Sequence, residues 1–225
     1  MQTEIRHSPA FAVARVTLAA GEEISMEAGA MMAMAPGVSI ESKMQGGLKK
    51  GLMRSVLGGE SLFITKMTAA REGDWVDVAP RLPGDVTVID VDGSMNLTSG
   101  AWLASDAGIQ IDTKWGGFKN LVGGEGGFLI RATGHGQTVA GCYGALQTYD
   151  LGAGEQLVLD SGHLVAYDDT VTYTTRKATT GLMQTLKSGE GLVFEFSGPG
   201  RVHAQTRNAS ELIGWLTSEL PFSRN

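Results

Sequence analysis

The sequence predicts an all-β protein made of three tandem copies of one short unit and followed by a C-terminal α-helix. Three observations predict it. A Gly-Glu phrase recurs as LGGESLF (57–63), VGGEGGF (122–128) and KSGEGLVF (187–194), with Glu60, Glu125 and Glu190 spaced 65 residues apart. A longer phrase recurs too. LAAGEEISMEAGAMMA (18–33) aligns without a gap on LGAGEQLVLDSGHLVA (151–166), and VDGSMNLTSGAWLA (91–104) aligns on both once one residue is dropped near its turn. Between these phrases, short runs alternate apolar and polar residues, the period of a half-buried strand.

Fixed internal periodicity marks a repeat architecture. In each copy an apolar residue stands three before a glycine and an alanine four after it: Met26, Gly29, Ala33; Leu97, Gly100, Ala104; Leu159, Gly162, Ala166. The unit reads turn, strand, Gly turn, strand, basic Gly-rich loop, Gly-Glu turn, strand. Its copies fall at about 10–80, 81–144 and 145–208. Among the strands, DVTVIDV places Val86 and Val88 on one face, GIQIDT places Ile109 and Ile111, and TVTYTT places Val171 and Tyr173. Bounded by Gly, Asp, Asn and Pro, such runs read as antiparallel strands. LFITKMTA and LVFEFSG are denser in apolar residues, as expected of strands covered on both faces. Only 209–221 carries helical spacing. Asn208 or Ser210 can cap it, Pro221 stops it, and Leu212, Ile213, Trp215, Leu216 and Leu220 form a broad apolar face expected to dock on the sheet.

The recurrent Gly-Glu pairs, Gly59 and Glu60, Gly124 and Glu125, Gly189 and Glu190, read as structural turns. The glycine permits a sharp turn and the carboxylate accepts bonds from loop amides. The rival reading, a ligand or metal carboxylate used three times, lacks a histidine recurring beside it.

Composition bounds the rest. The 225 residues are 42% hydrophobic, enough for a substantial core. The 32 glycines are about twice the usual share and are spread along the chain, which implies many tight turns. The net charge of −6 argues against nucleic acid as a general partner. The single Cys142 excludes an internal disulfide and suits a reducing cytoplasm. The opening MQTEIRHSPAF does not read as a signal peptide, and no apolar run approaches the ~18 residues of a membrane-spanning helix.

No catalytic, metal or cofactor motif emerges. His7, His135, His163 and His203 form no metal-ligand pair, and His163 reads as a turn histidine. Cys142 in VAGCYG reads as a small buried thiol. GES at 59–61 lacks the second glycine of a nucleophile elbow, and GGLKKGLMRS lacks the Gly-Lys-Ser/Thr ending of a phosphate loop. Asp168 and Asp169 are adjacent, so in a strand they face opposite ways.

The blocks GGLKKGLMRSVLGGESLF, WGGFKNLVGGEGGFLI and GLMQTLKSGEGLVFEF, together with the triplication, resemble the bacterial and mitochondrial family named for altered inheritance of mitochondria, formerly a domain of unknown function. The likeness covers nearly the whole chain. It implies a fold related to the tryptophan RNA-binding attenuation protein, with three tandem copies of a short double-stranded β-helix-like unit. It also implies homotrimers in which three chains close a nine-unit ring. The mitochondrial relative is associated with organisation of the inner membrane. The attenuation protein's ligand residues do not map onto this chain, so a small-molecule-sensing or nucleic-acid-binding regulator stands as the alternative by fold analogy alone.

One charge pattern remains. The segments 42–57, 113–122 and 175–188 lie just before the three Gly-Glu turns. They contain Lys43, Lys49, Lys50, Arg54, Lys114, Lys119, Arg176, Lys177 and Lys187, nine of the chain's 18 basic residues, and none of its 24 acidic ones. Trp115 and Phe118 add aromatic side chains. Two readings stay open. The loops pack against neighbouring subunits with solvated lysines, or they form a basic-apolar rim for an anionic membrane surface or an acidic protein. The expected protein is a non-catalytic, cytoplasmic, oligomeric scaffold or binding module.

Overall fold

The computed structural model describes residues 1–44, 63–114, 129–177 and 192–220. The described residues form an all-β fold with one α-helix. Strand β1 (Gln2–Arg6) is followed by β2 (Val13–Leu18), β3 (Glu23–Glu27), β4 (Met31–Met34), β5 (Val38–Met44), β6 (Phe63–Ala69) and β7 (Asp74–Val78). Then come β8 (Val86–Thr98), β9 (Trp102–Asp106), β10 (Ile109–Lys114) and β11 (Leu129–Gly141). The last set is β12 (Leu146–Leu151), β13 (Gln156–Asp160), a 3-10 turn (Ser161–His163), β14 (Leu164–Asp168), β15 (Thr172–Lys177), β16 (Leu192–Ser197), β17 (Gly200–Gln205) and α1 (Ala209–Glu219).

One pairing scheme occurs three times. In the first module β2 pairs β7 and β7 pairs β4, while β3 pairs β6 and β6 pairs β5, all antiparallel. In the third, β12–β17–β14 and β13–β16–β15 repeat it. In the second, β8 and β11 are each long enough to serve both sheets. Their pairing runs unbroken from Val86↔Gly141 to Thr98↔Leu129, with β9 and β10 as the outer partners. Where the other modules turn a corner, this one passes Gly93 opposite Gly134, both at positive φ, where a side chain would be strained.

A bulge recurs with the scheme. Met31 and Ala33 oppose Val78 and Asp77, Trp102 and Ala104 oppose Ala140 and Val139, and Leu164 and Ala166 oppose Ala204 and His203. Met32, Leu103 and Val165 are thus the extra residues of three equivalent bulges. The modules are joined by strand pairing as well: β9 of the second pairs β3 of the first, and β14 of the third pairs β8 of the second.

Each module holds one apolar cluster, and each joint lends to it. The first cluster includes Val16, Ile24, Met26, Met67 and Val76, plus Leu103 and Ala104 from the second module. The second includes Leu97, Trp102, Ile109, Ile111 and Ile130, plus Val165 and Ala166 from the third. The third is aromatic, with Tyr167, Tyr173, Phe194 and Phe196 in mutual ring contact.

Three expectations about faces change. In β8, Val86 is buried in the first core while Ile89 and Val91 are buried in the second, and Val88 is half-buried. The strand serves two cores, so simple alternation breaks. Strand β6 buries Thr65, Met67 and Ala69 on one face and on the other only half-buries Ile64, against the second core, whereas β16 also buries Val193 on its second face. The helix α1 is capped by Asn208, whose side chain accepts a bond from the Ser210 amide, but it does not dock: it buries no residue, and Trp215 is 60% exposed. In the first two modules the chain leaving β7 or β11 enters the next module. The chain leaving β17 instead enters α1.

Candidate interaction surface at the hairpin ends

The basic segments of the sequence adjoin equivalent strand ends. Strands β5 and β6, β10 and β11, and β15 and β16 are hairpin partners, and their last pairs are Met44↔Phe63, Lys114↔Leu129 and Lys177↔Leu192. Identical registers therefore set the stems of all three basic loops at the same strand end of each module. The alternation of an antiparallel pair fixes this, because a one-residue slip would turn every buried side chain outward.

Lys114 and Lys177 are the terminal strand residues at two of these stems. Arg176 lies one step inside. Its Nε donates to Glu195 Oε1 on the neighbouring strand β16. Glu195 also accepts from Thr174 Oγ1 at 3.4 Å, and the Arg176 hydrogen bond holds its carboxyl below the ordinary glutamate range. Lys49, Lys50, Arg54, Trp115, Phe118, Lys119 and Lys187, and the Gly-Glu turns at Gly59, Glu60, Gly124, Glu125, Gly189 and Glu190, lie outside the described residues.

The remaining polar groups serve the joints and strand ends. Asp168 and Asp169 do face different partners. Asp168 accepts from the Arg201 amide at 2.9 Å and from its guanidinium at 3.0 and 3.2 Å, while Asp169 accepts from Ser94 Oγ and Asn96 Nδ2 on β8 and from Arg131 on β11. That second group ties the third module to the second. His163 Nδ1 sits 2.7 Å from the Gln205 carbonyl oxygen, which can only accept, so this nitrogen carries the proton. Cys142 is buried, and desolvation pushes its thiol up to about 11, so it stays a thiol. Among the described residues no group of three or more His, Cys, Asp or Glu could hold a metal ion. No described helix is long and apolar enough to cross a membrane.

Sequence reasoning passed over two groups that the structure brings forward. The Asp169 cluster spans 75 residues of chain and has no local pattern. The bulge residues had a signal: AMMA, AWLA and HLVA align at the equivalent turns, and the third residue of each is the bulge.

Fold and stems together define a triplicated antiparallel β protein with three equivalent hairpin ends. Residues 3–207 match the family Mitochondrial biogenesis AIM24, and the chain belongs to that family. It is 30% identical over 234 residues to an uncharacterised protein of Streptococcus pyogenes serotype M6, covering 100% of this chain and 93% of the relative. The crystal structure of a Streptococcus pyogenes protein superposes with a TM-score of 0.81 at 26% identity, covering 97% of this chain and 99% of that one.

Proposed function

We propose that the protein is a non-catalytic oligomeric β scaffold, a homotrimer of attenuation-protein-like modules, that binds an anionic membrane surface from the cytoplasm through its basic loops. The observation that carries this reading is the shared register of the three hairpin ends. Half of the chain's basic residues lie in acid-free segments of the sequence that adjoin these equivalent strand ends. A basic residue near an anionic surface contributes roughly 1 kcal/mol. Contacts that weak matter only when many act together, which a three-module chain assembled into a ring supplies. The repeated two-sheet unit supports the attenuation-protein likeness, and the single buried thiol suits a reducing compartment.

Vesicle co-sedimentation tests it. The full chain should sediment with vesicles of mixed phosphatidylglycerol and phosphatidylcholine, should stay in solution with phosphatidylcholine alone, and should be released by salt. The variant Lys49→Glu, Lys50→Glu, Lys119→Glu should lose at least tenfold in binding, since three charge reversals remove well over 1.4 kcal/mol on this scale. Equal behaviour with both vesicle types rejects the membrane reading. Salt-sensitive binding of single-stranded RNA in its place would favour the regulator.

A further inference from the structure

One register position differs in kind among the three modules. Asp77 on β7, Val139 on β11 and His203 on β17 stand opposite Ala33, Ala104 and Ala166, the alanines that follow the bulge residues. Residues paired across antiparallel strands point to the same face. At the first joint the row runs Val88, Val139, Ala104, Met26, and the last three are buried together in the first cluster. At the second joint the matching row is Thr148, His203, Ala166, Leu97. Ala166 and Leu97 belong to the second cluster, and Leu146, on the Thr148 face of β12, packs against it. His203 therefore points from the third module's sheet at the apolar core of the second. Asp77, in the first module, is met by Arg6 and Arg15 instead.

The His203 ring is 5% exposed. Its Nδ1 lies 3.0 Å from Thr148 Oγ1, a hydroxyl that can give or take the bond, so a neutral ring is served in either tautomer. Its Nε2 is buried and has no hydrogen-bond partner. A protonated ring carries N–H on both nitrogens, and the second would stand unpaired in apolar surroundings. The charges around the ring do not supply that partner. Arg201 shares its strand and face, Asp168 faces it from β14 and Asp150 from β12, while β8 brings the apolar Met95 and Leu97. Asp168 is already held by the Arg201 amide at 2.9 Å and by its guanidinium at 3.0 and 3.2 Å. Burial, aided by the Arg201 charge, outweighs the two carboxylates and lowers the pKa of the ring.

We propose that His203 makes the joint between the second and third modules an acid-sensitive latch: protonation of its ring loosens the third module from the second, while the joint between the first and second stays closed. The selectivity follows from the residues at one position. Val139 has nothing to protonate, so the first joint lacks the trigger. A ring released from the joint meets water, which satisfies Nε2. A proton taken up only in the open joint, at the ordinary histidine pKa of about 6.5, raises opening up to about 25-fold from about pH 7 to about pH 5. The latch lies within one protomer and depends neither on assembly nor on membrane binding.

Hydrogen exchange of the full chain, followed by mass spectrometry and corrected for the intrinsic pH dependence of exchange, tests it. From about pH 7 to about pH 5 the protection of β14 and β17 should fall at least tenfold, while that of β3 and β9 at the first joint holds. His203→Gln, which can still bond Thr148 but takes no charge, should remove the fall. Thr148→Val together with His203→Val, which copies the first joint, should remove it too. Equal loss at both joints, no loss down to about pH 5, or a loss that His203→Gln leaves unchanged overturns the latch. Should neither variant fold, proton NMR of the wild-type ring decides. A His203 ring that titrates near the ordinary histidine pKa of about 6.5 with β14 still protected overturns the proposal, and one that stays neutral until protection is lost bears it out.

Discussion

Asp77 sits on β7 with its carboxylate between two arginines. Arg15 on β2 donates to it at 2.8 and 2.9 Å, and Arg6 on β1 approaches to 2.9 Å. The Arg15 guanidinium lies 3.8 Å from the centre of the Trp75 ring, which fixes it from the other side. The Arg15 hydrogen bonds, aided by Arg6, hold Asp77 below the usual aspartate range. A depressed carboxylate contributes stability above its unfolded pKa of about 3.9, and the contribution is lost as pH falls through the lower folded value. Asp77→Ala should cost about 2 kcal/mol, the two arginines being partly exposed, and should flatten the acid limb of a thermal-melt series. His203 acts in the same direction but in a higher pH window. Burial, then the nearby Arg201 charge, lowers its pKa. The unfolded imidazole protonates near pH 6.5 while the folded one resists, so stability is full above that pH and erodes below it. Melting temperature should therefore fall between about pH 7 and pH 5, and His203→Gln should flatten that fall. At this scale the sequence was partly legible. Cys142 reads as a buried thiol from its small apolar neighbours. The Asp77 and Asp169 clusters do not read, because their members lie 62 and 75 residues apart and no local rule links them.

At the scale of elements, the strands were legible where one face meets one core. GIQIDT became β10 with Ile109 and Ile111 buried together. Legibility failed where tertiary placement intervened. Strand β8 changes cores midway, so Val86 and Ile89 are both buried despite their odd spacing. The helix has a good cap and a broad apolar face, yet local pattern cannot say whether a surface waits beneath it. The two elements predict different responses to substitution. Phe194→Ala in β16 removes a fully buried ring from the aromatic cluster and should cost about 3–5 kcal/mol, measured by denaturant unfolding. Trp215→Ala in α1 should change protomer stability by no more than about 0.5 kcal/mol, as expected of an exposed position.

For the whole molecule, three copies of a Gly-Glu phrase and of a turn-and-strand phrase announced the repeat, and the pairing registers and bulges now give it a physical meaning. A small β module leaves an edge and part of its core open, and its successor closes both. The sequence did not display the joints, because a bulge residue that enters a neighbour's core looks like any apolar residue in a strand. The same logic that builds the protomer sets the ends of β5 and β6, β10 and β11, and β15 and β16 at equivalent places in the three modules. The proposed function therefore depends on assembly. Light scattering of the wild-type chain at neutral pH measures this most directly. The account predicts a mass of three protomers of 23.7 kDa each. The mass of a single protomer, unchanged as concentration rises, would contradict it.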